Sequence, residues 1–184
     1  MVLNITPMTV EQFDEWVMLP ENIGMDYEYI GGEIKSVVAH GYSSRVTAIV
    51  IYELMAYMRR TGIQGKVTGA DGGYQVAGER YIPDVAYSQD PTSTKGYNPI
   101  PPDLAVEVIS DPSSAKERAE LHIKTGNYLA DGCVVWIINP ETQSVEVYTP
   151  NKPVQVIPAT GTLTGGDLLP DFSVLVKDLF PQDG

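Results

Sequence analysis

The sequence predicts an α/β (α+β) fold in which a mixed central β-sheet is flanked by helices, and three observations lead there. Short β-rich runs, punctuated by Gly and Pro, recur from residue 27 to residue 158. Three other segments carry helical spacing, and two of these open on capping-box patterns. At 184 residues, with 43% hydrophobic and 20% charged side chains, the chain is long enough for one covered sheet and short for two. Residues 1–184 are therefore read as one domain with its core at about 7–180, in the element order α-β-β-α-β-β-β-α-β-β.

Thr9-Val10-Glu11-Gln12 has capping-box spacing and opens a short helix to about Leu19, which Pro20 helps to end. The run "YEYIGGEIKSVV" places two β-rich pieces about Gly31-Gly32, a hairpin signal. From Tyr42 to Arg60, apolar residues at mixed three and four spacings predict the longest helix, with Gly62 at its C-cap. "KVTG", "GYQV" and "YIPDVAYS" predict a meander of short strands. Residues 89–102 hold four prolines among polar filler and form a loop of a length that is often functional. A strand over Leu104–Ser110 follows, then a second capping box, Ser114-Ala115-Lys116-Glu117, opening a helix to about Ala130 that Gly132 closes. "VVWIIN" and "SVEVYTP" make a hairpin through "PETQ", "PVQVIP" adds an edge strand, and "DFSVLVKDLF" reads as a terminal helical turn.

Composition narrows the function classes. No run approaches the ~18 apolar residues of a membrane span, and the N-terminus has neither the basic nor the apolar region of a secretion signal, so a cytoplasmic, membrane-free protein is expected. The one cysteine, Cys133, excludes an internal disulfide and a cysteine-built zinc site, and its flanks predict packing at a strand start. Twelve Lys and Arg against 24 Asp and Glu give a net charge of -12, which repels a phosphate backbone at long range. The basic residues cluster modestly, as Arg59, Arg60 and Lys66 and as Lys116, Arg118 and Lys124.

The chemistry enters at "PPDLAVEVISDPSS", where Glu107 sits at the centre of an apolar run. In a strand, Ala105, Glu107 and Ile109 share one face and Val106 and Val108 the other. A lone charged carboxylate there costs several kcal/mol, about the desolvation of an unpaired polar group or more. Asp84 in "YIPDVAYS" has the same surroundings. Two readings stand: Asp84 and Glu107 on neighbouring strands hold Mg²⁺, which takes protein carboxylates plus water, or Glu107 pairs with a Lys or Arg while Asp84 caps a turn after Pro83.

Pro83-Asp84 followed by Glu107-Val108-Ile109-Ser110 resembles the PD-(D/E)XK nuclease superfamily, and the chain as a whole resembles its Uma-two branch of restriction endonuclease-like proteins. "YEYIGGEI", His40 before the long helix, the Lys124–Tyr128 pair, "GCVVWIINPETQSVEVY" and "LLPDF" carry the likeness over about residues 7–180. "PD" alone carries none, since Pro102-Asp103 repeats it. The resemblance implies a restriction endonuclease-like fold, a Mg²⁺ or Mn²⁺ cofactor held by Asp84, Glu107 and the Val108 carbonyl, and Glu28 beside the metal. Where the superfamily pattern has its lysine, two residues after the glutamate, this chain has Ile109. The branch moves the lysine to the following helix, where Lys124 matches and Lys116 is the reserve candidate.

On that helix Leu121, Lys124 and Tyr128 form one stripe, while Ala119, Ile123 and Ala130 form a better apolar face. Tyr128 is expected either near the site or in the core with a polar tip. His40 is either a second contact of the site or a polar residue preceding a helix, and His122 is a helix-surface histidine. Glu33 also matches a family acidic position, but Glu33-Ile34-Lys35 is read as a surface ion pair imitating E-x-K. No P-loop, dinucleotide fingerprint or nucleophile elbow is present. Two functions follow. One is a metal-dependent phosphodiesterase acting on DNA, with Asp84, Glu107, Glu28 and Lys124 as its working residues and a homodimer juxtaposing two clefts. The other is a non-catalytic binding or assembly module on the same scaffold, which the acidic charge favours.

Overall fold

The structure is a computed structural model in which residues 8–37, 41–89 and 96–182 are described. Helix α1 (Val10–Trp16) starts at the expected capping box: the Gln12 N–H donates to Thr9 Oγ1 at 3.3 Å and the Thr9 N–H to Gln12 Oε1 at 2.9 Å. Strands β1 (Tyr27–Ile30) and β2 (Glu33–Ser36) pair antiparallel through a two-residue turn in which Gly31 and Gly32 both have positive φ, 57° and 85°. A side chain rarely tolerates either value, which is why two glycines stand there. Helix α2 (Gly41–Thr61) is the longest, and Gly62, at φ 75°, ends it.

The meander is longer than the sequence suggested. Strands β3 (Lys66–Thr68), β4 (Tyr74–Val76), β5 (Glu79–Tyr81), β6 (Val85–Ser88) and β7 (Leu104–Val108) precede helix α3 (Ala115–Ala130). "YIPDVAYS" is broken because Pro83 has no N–H to give a ladder. The chain changes sheets at this break: β5 joins a four-stranded sheet in the order β2-β1-β5-β4, whereas β6 joins the larger one. After α3 come β8 (Val134–Asn139), β9 (Ser144–Tyr148), β10 (Gln155–Pro158), β11 (Thr162–Gly165) and β12 (Leu169–Leu175). The expected terminal helical turn is confined to a 3-10 turn at Val176–Leu179, because the alternation from Phe172 to Val174 is strand burial.

The larger sheet has six strands in the order β10-β9-β8-β7-β6-β3 and is mixed: β7 and β8 are parallel, joined by α3, and the other pairs are antiparallel. β10 takes the edge, as "PVQVIP" indicated. Each face has its own core. Val46, Val50 and Leu54 of α2 pack on Val85, Leu104, Val106 and Trp136. On the opposite face Ile30, Tyr81, Ala86, Ala105, Tyr128 and Ile137 cluster between the sheet, β1, β5 and α3. The alternation along β7 thus divides as predicted, and Glu107 faces the second core. Cys133 is buried at the start of β8. Among the described residues no helix is long and apolar enough to cross a membrane.

Leu54 is fully buried in the α2 core, away from Glu107. Leu54→Ala should cost about 2–5 kcal/mol of unfolding free energy, lowering the urea midpoint at unchanged m-value; a loss below 1 kcal/mol would show that this core is not closely packed.

Candidate active site

Three elements and one sheet-to-sheet crossing converge on the second core's open end. β1 supplies Glu28, β7 supplies Glu107, α3 supplies Lys124 and Tyr128, and the Ile82-Pro83-Asp84 crossing supplies Asp84. Glu28, Asp84, Glu107 and Lys124 line a cleft of about 290 Å³. Asp84 is aimed by the break that Pro83 enforces, and its Oδ2 accepts the Val108 N–H at 2.7 Å. Val108 is thus at the site through its N–H. The Ile82 N–H, just before the break, donates to Glu28 Oε1 at 2.7 Å.

The Lys124 ammonium joins these pieces. It lies 2.8 Å from Glu28 Oε1 and 2.7 Å from Glu107 Oε1, and 5.6 Å from the centre of the Tyr81 ring. Lys124 is 6% exposed, so a lysine expected to extend into water is among the most buried charges of the chain. The helix face is correspondingly reversed: Lys124, Thr125 and Tyr128 are buried, while Ala119, Ile123 and Ala130 are exposed. Hydrophobicity alone ranked those stripes wrongly because the inward one carries a charge whose partners lie on β1 and β7. Tyr128 serves both expected roles, fully buried against Tyr81 with its hydroxyl donating to Glu107 Oε1 at 3.2 Å.

Electrostatically the cluster holds more negative charge than its one internal lysine neutralises. Burial pushes the Glu107 carboxyl up to about 8; Lys124 opposes that, and Glu28 and Asp84 add to it. Burial also raises Asp84, against the Val108 N–H and Lys124. Burial pulls Lys124 down, but Glu107 and Glu28 more than reverse it, so the ammonium stays charged. The donor set therefore suits a hard divalent cation, which takes carboxylate oxygens and brings the missing positive charge. Asp84 is engaged through Oδ2 and Glu107 through Oε1. Among the described residues no group of three or more His, Cys, Asp or Glu is poised to hold a metal; the carboxylates that could take part in holding one are Asp84 and Glu107, while Glu28 Oε1 is engaged by both Lys124 and the Ile82 N–H.

Of the other expected residues, Lys116 is exposed at the start of α3 and His122 is exposed on its surface. His40 lies outside the described residues. Ser114 caps α3 through Glu117 N, but the Glu117 carboxylate does not close the capping box. It accepts the Ser110 and Asp111 N–H groups at 2.7 and 2.8 Å, fixing the exit of β7 beside the cleft. Sequence reasoning also missed an outer support: the Tyr81 hydroxyl bonds to Glu79, Asn127 Nδ2 donates to that hydroxyl at 2.6 Å, and Glu79 Oε1 accepts the Gly31 N–H at 2.7 Å. The expected Glu33–Lys35 ion pair forms at 3.3 Å, and Lys35 also lines the cleft. Counting outward from the two-residue Gly31-Gly32 turn sets Lys35 opposite Glu28, and that register was available from sequence.

Comparison with known proteins adds a family and a fold. The model of the Uma2 family, described as "Putative restriction endonuclease", matches residues 10–177. A crystal structure described as a "putative nuclease belonging to DUF820" from Anabaena variabilis ATCC 29413 is 21% identical, with a TM-score of 0.74 over 95% of this chain and 98% of that one. The architecture expected from the sequence, a restriction endonuclease-like mixed sheet with flanking helices, is the one observed. No curated protein matches the chain.

The raised Glu107 pKa has a measurable consequence. Between its ordinary 4.5 and about 8 the folded protein keeps a proton that the unfolded chain has released, so metal-free stability falls as pH rises through that window. The melting temperature without metal should be lower at about pH 8.5 than at about pH 5. Asp84→Asn, which removes one of the facing carboxylates while keeping an acceptor for Val108, should raise the metal-free value at about pH 8 by ~2–4 °C. A lower melting temperature in that variant would show that the carboxylates do not repel one another.

Proposed function

Since this chain belongs to the Uma2 family of restriction endonuclease-like proteins, we propose that it is a metal-dependent endonuclease hydrolysing phosphodiester bonds of DNA. The observation that carries this is the convergence of Glu28, Asp84, Glu107 and Lys124 on one cleft, from segments up to 96 residues apart. The family match, with the structure described as a "putative nuclease" from Anabaena variabilis, supports nuclease chemistry in general. Metal dependence and the residue roles are our reading of the site.

In this reading Asp84 and Glu107 hold Mg²⁺ or Mn²⁺, with the Val108 carbonyl as a third donor. What such a cation supplies when bound is Lewis acidity toward a phosphate oxygen and a water of lowered pKa. Lys124 holds positive charge at the reacting phosphate. Two of its three N–H bonds are spent on Glu28 and Glu107, which fix its position, and the third is available to a phosphate oxygen as negative charge grows there. Glu28 acts through Lys124. Tyr128, kept protonated chiefly by burial, orients Glu107 through its hydroxyl. The apolar walls of Ile82, Ile109 and Leu121 exclude water around these groups.

A second reading, a non-catalytic binding module, is favoured by the charge of -12, which opposes approach to DNA. A homodimer that juxtaposes two clefts would concentrate the few basic residues and meet that objection.

The two readings separate in one experiment: single-stranded and duplex DNA are incubated at low salt with Mn²⁺ or Mg²⁺ and wild type, Glu107→Gln or Lys124→Ala, each prepared identically. Cleavage by wild type, lost in Glu107→Gln and reduced by about 10²-fold or more in Lys124→Ala, is the expected result. Equal cleavage by all three would place the activity elsewhere, and none by any would favour the binding module.

A further inference from the structure

The cleft contains a second cation that the proposed chemistry does not use. Lys35 pairs with Glu28 across the β1–β2 register, so the two side chains leave the hairpin on one face, into the cleft. Among the described residues lining the cleft, Lys35 and Lys124 are the cations, against Glu28, Asp84, Glu107, Glu117 and Glu120. They are held differently. The Lys124 side chain is 7% exposed and bonded to two buried carboxylates. The Lys35 side chain is 16% exposed, and its ammonium lies 2.5 Å from Glu120 Oε1 on α3 and 3.3 Å from Glu33 Oε2, whose side chains are 26% and 71% exposed.

That difference decides what each lysine can do. Freeing Lys124 would strand two buried carboxylates, which is strongly disfavoured. Freeing Lys35 releases Glu33, which already stands in water, and Glu120, whose side chain is partly exposed although its Oε1 is buried, so less is lost than at Lys124. A phosphate oxygen can therefore replace Glu120 on Lys35 more readily than it could replace either partner of Lys124, and lysine binds phosphate as a compact charge without a fixed geometry. The position also answers the acidity of the chain: a nucleic-acid strand entering this cleft needs a cation to meet, and Lys35 is the more exposed of the two lysines that line it.

We propose that Lys35 binds a backbone phosphate of the substrate strand at the mouth of the cleft, and that Glu120 occupies its ammonium until that phosphate displaces it. The assignment rests on DNA being the substrate of this cleft, and does not depend on cleavage. The remaining function of the pair would be that of a strut between β2 and α3.

Fluorescence anisotropy with labelled single-stranded and duplex oligonucleotides tests this, using the full chain in EDTA and again with Ca²⁺, across a salt series, with oligonucleotide integrity checked on a gel. Lys35→Met should weaken binding and lower the slope of log affinity against log salt by about 0.7 on single strands and 0.9 on duplex, one phosphate contact. Lys35→Arg should keep the slope. Glu120→Gln should tighten binding by about two- to five-fold, the effect of removing an outer ion-pair competitor, and Lys35→Met/Glu120→Gln should behave as Lys35→Met alone. Lys152→Met, which breaks the exposed pair with Asp167 outside the cleft, is the control and should leave the slope unchanged. A wild-type slope in Lys35→Met overturns the proposal, as does a wild type that binds neither oligonucleotide. If Lys35→Met does not fold, a Glu120→Gln variant that binds no tighter than wild type overturns it. Wild type that binds with the expected slopes yet cuts nothing with Mg²⁺ or Mn²⁺ removes the nuclease reading and leaves Lys35 standing; wild type that cuts, with slopes indifferent to Lys35, does the reverse.

Discussion

Everything at the open end of the second core depends on burying one ammonium between two carboxylates. Lys124 Nζ reaches Glu28 on β1 and Glu107 on β7, so one side chain ties α3 to both sheets. Such a buried pair is weak evidence for stability, since desolvating the charges offsets their attraction, but it is strong on geometry because breaking it leaves a buried charge unpaired. α3 is thereby locked in rotation with a charged stripe inward and an apolar stripe outward, the opposite of what amphipathicity alone would choose.

The neighbouring architecture reads as support for that arrangement. The Pro83 break passes the chain from one sheet to the other and leaves Asp84 facing the same cleft, while the Ile82 and Val108 N–H groups fix Glu28 and Asp84. Tyr81, held by Glu79 and Asn127, presents its ring to the ammonium. Glu117 spends its carboxylate on the exit of β7 instead of on its own helix cap. Burial and the neighbouring carboxylates raise Asp84 and Glu107, and the surplus of negative charge that remains after Lys124 is what the proposed cation would offset.

Legibility in the sequence followed the range of the interaction. Glu107 was conspicuous because a carboxylate in a five-residue apolar strand conflicts with its local setting, and such conflicts concentrate at functional sites. Asp84 and Lys124 stand out partly through resemblance to the family, for a lysine on a helix carries no local sign that it will be buried. Lys35 was passed over although the Gly31-Gly32 turn fixes its register opposite Glu28, since a Glu two residues away offered a simpler surface partner. Glu79, Asn127 and Glu120 gave no signal at all: a polar residue on a helix or strand edge looks the same whether its partner is water or a side chain far away in the sequence.

By itself the sequence determined the local matters. Capping at Thr9 and Ser114, the glycine hairpin, the alternation that sends Glu107 to one face and Val106 and Val108 to the other, and the mixed class of the fold all follow from interactions spanning a few residues. Tertiary structure alone decided where the break at Pro83 sends each half of its run, which stripe of α3 turns inward, and that Lys35 and Lys124 share one cleft. Those outcomes depend on charges meeting partners far away in the chain, and the energy of a buried charge is set by the partner it finds and not by its neighbours in sequence.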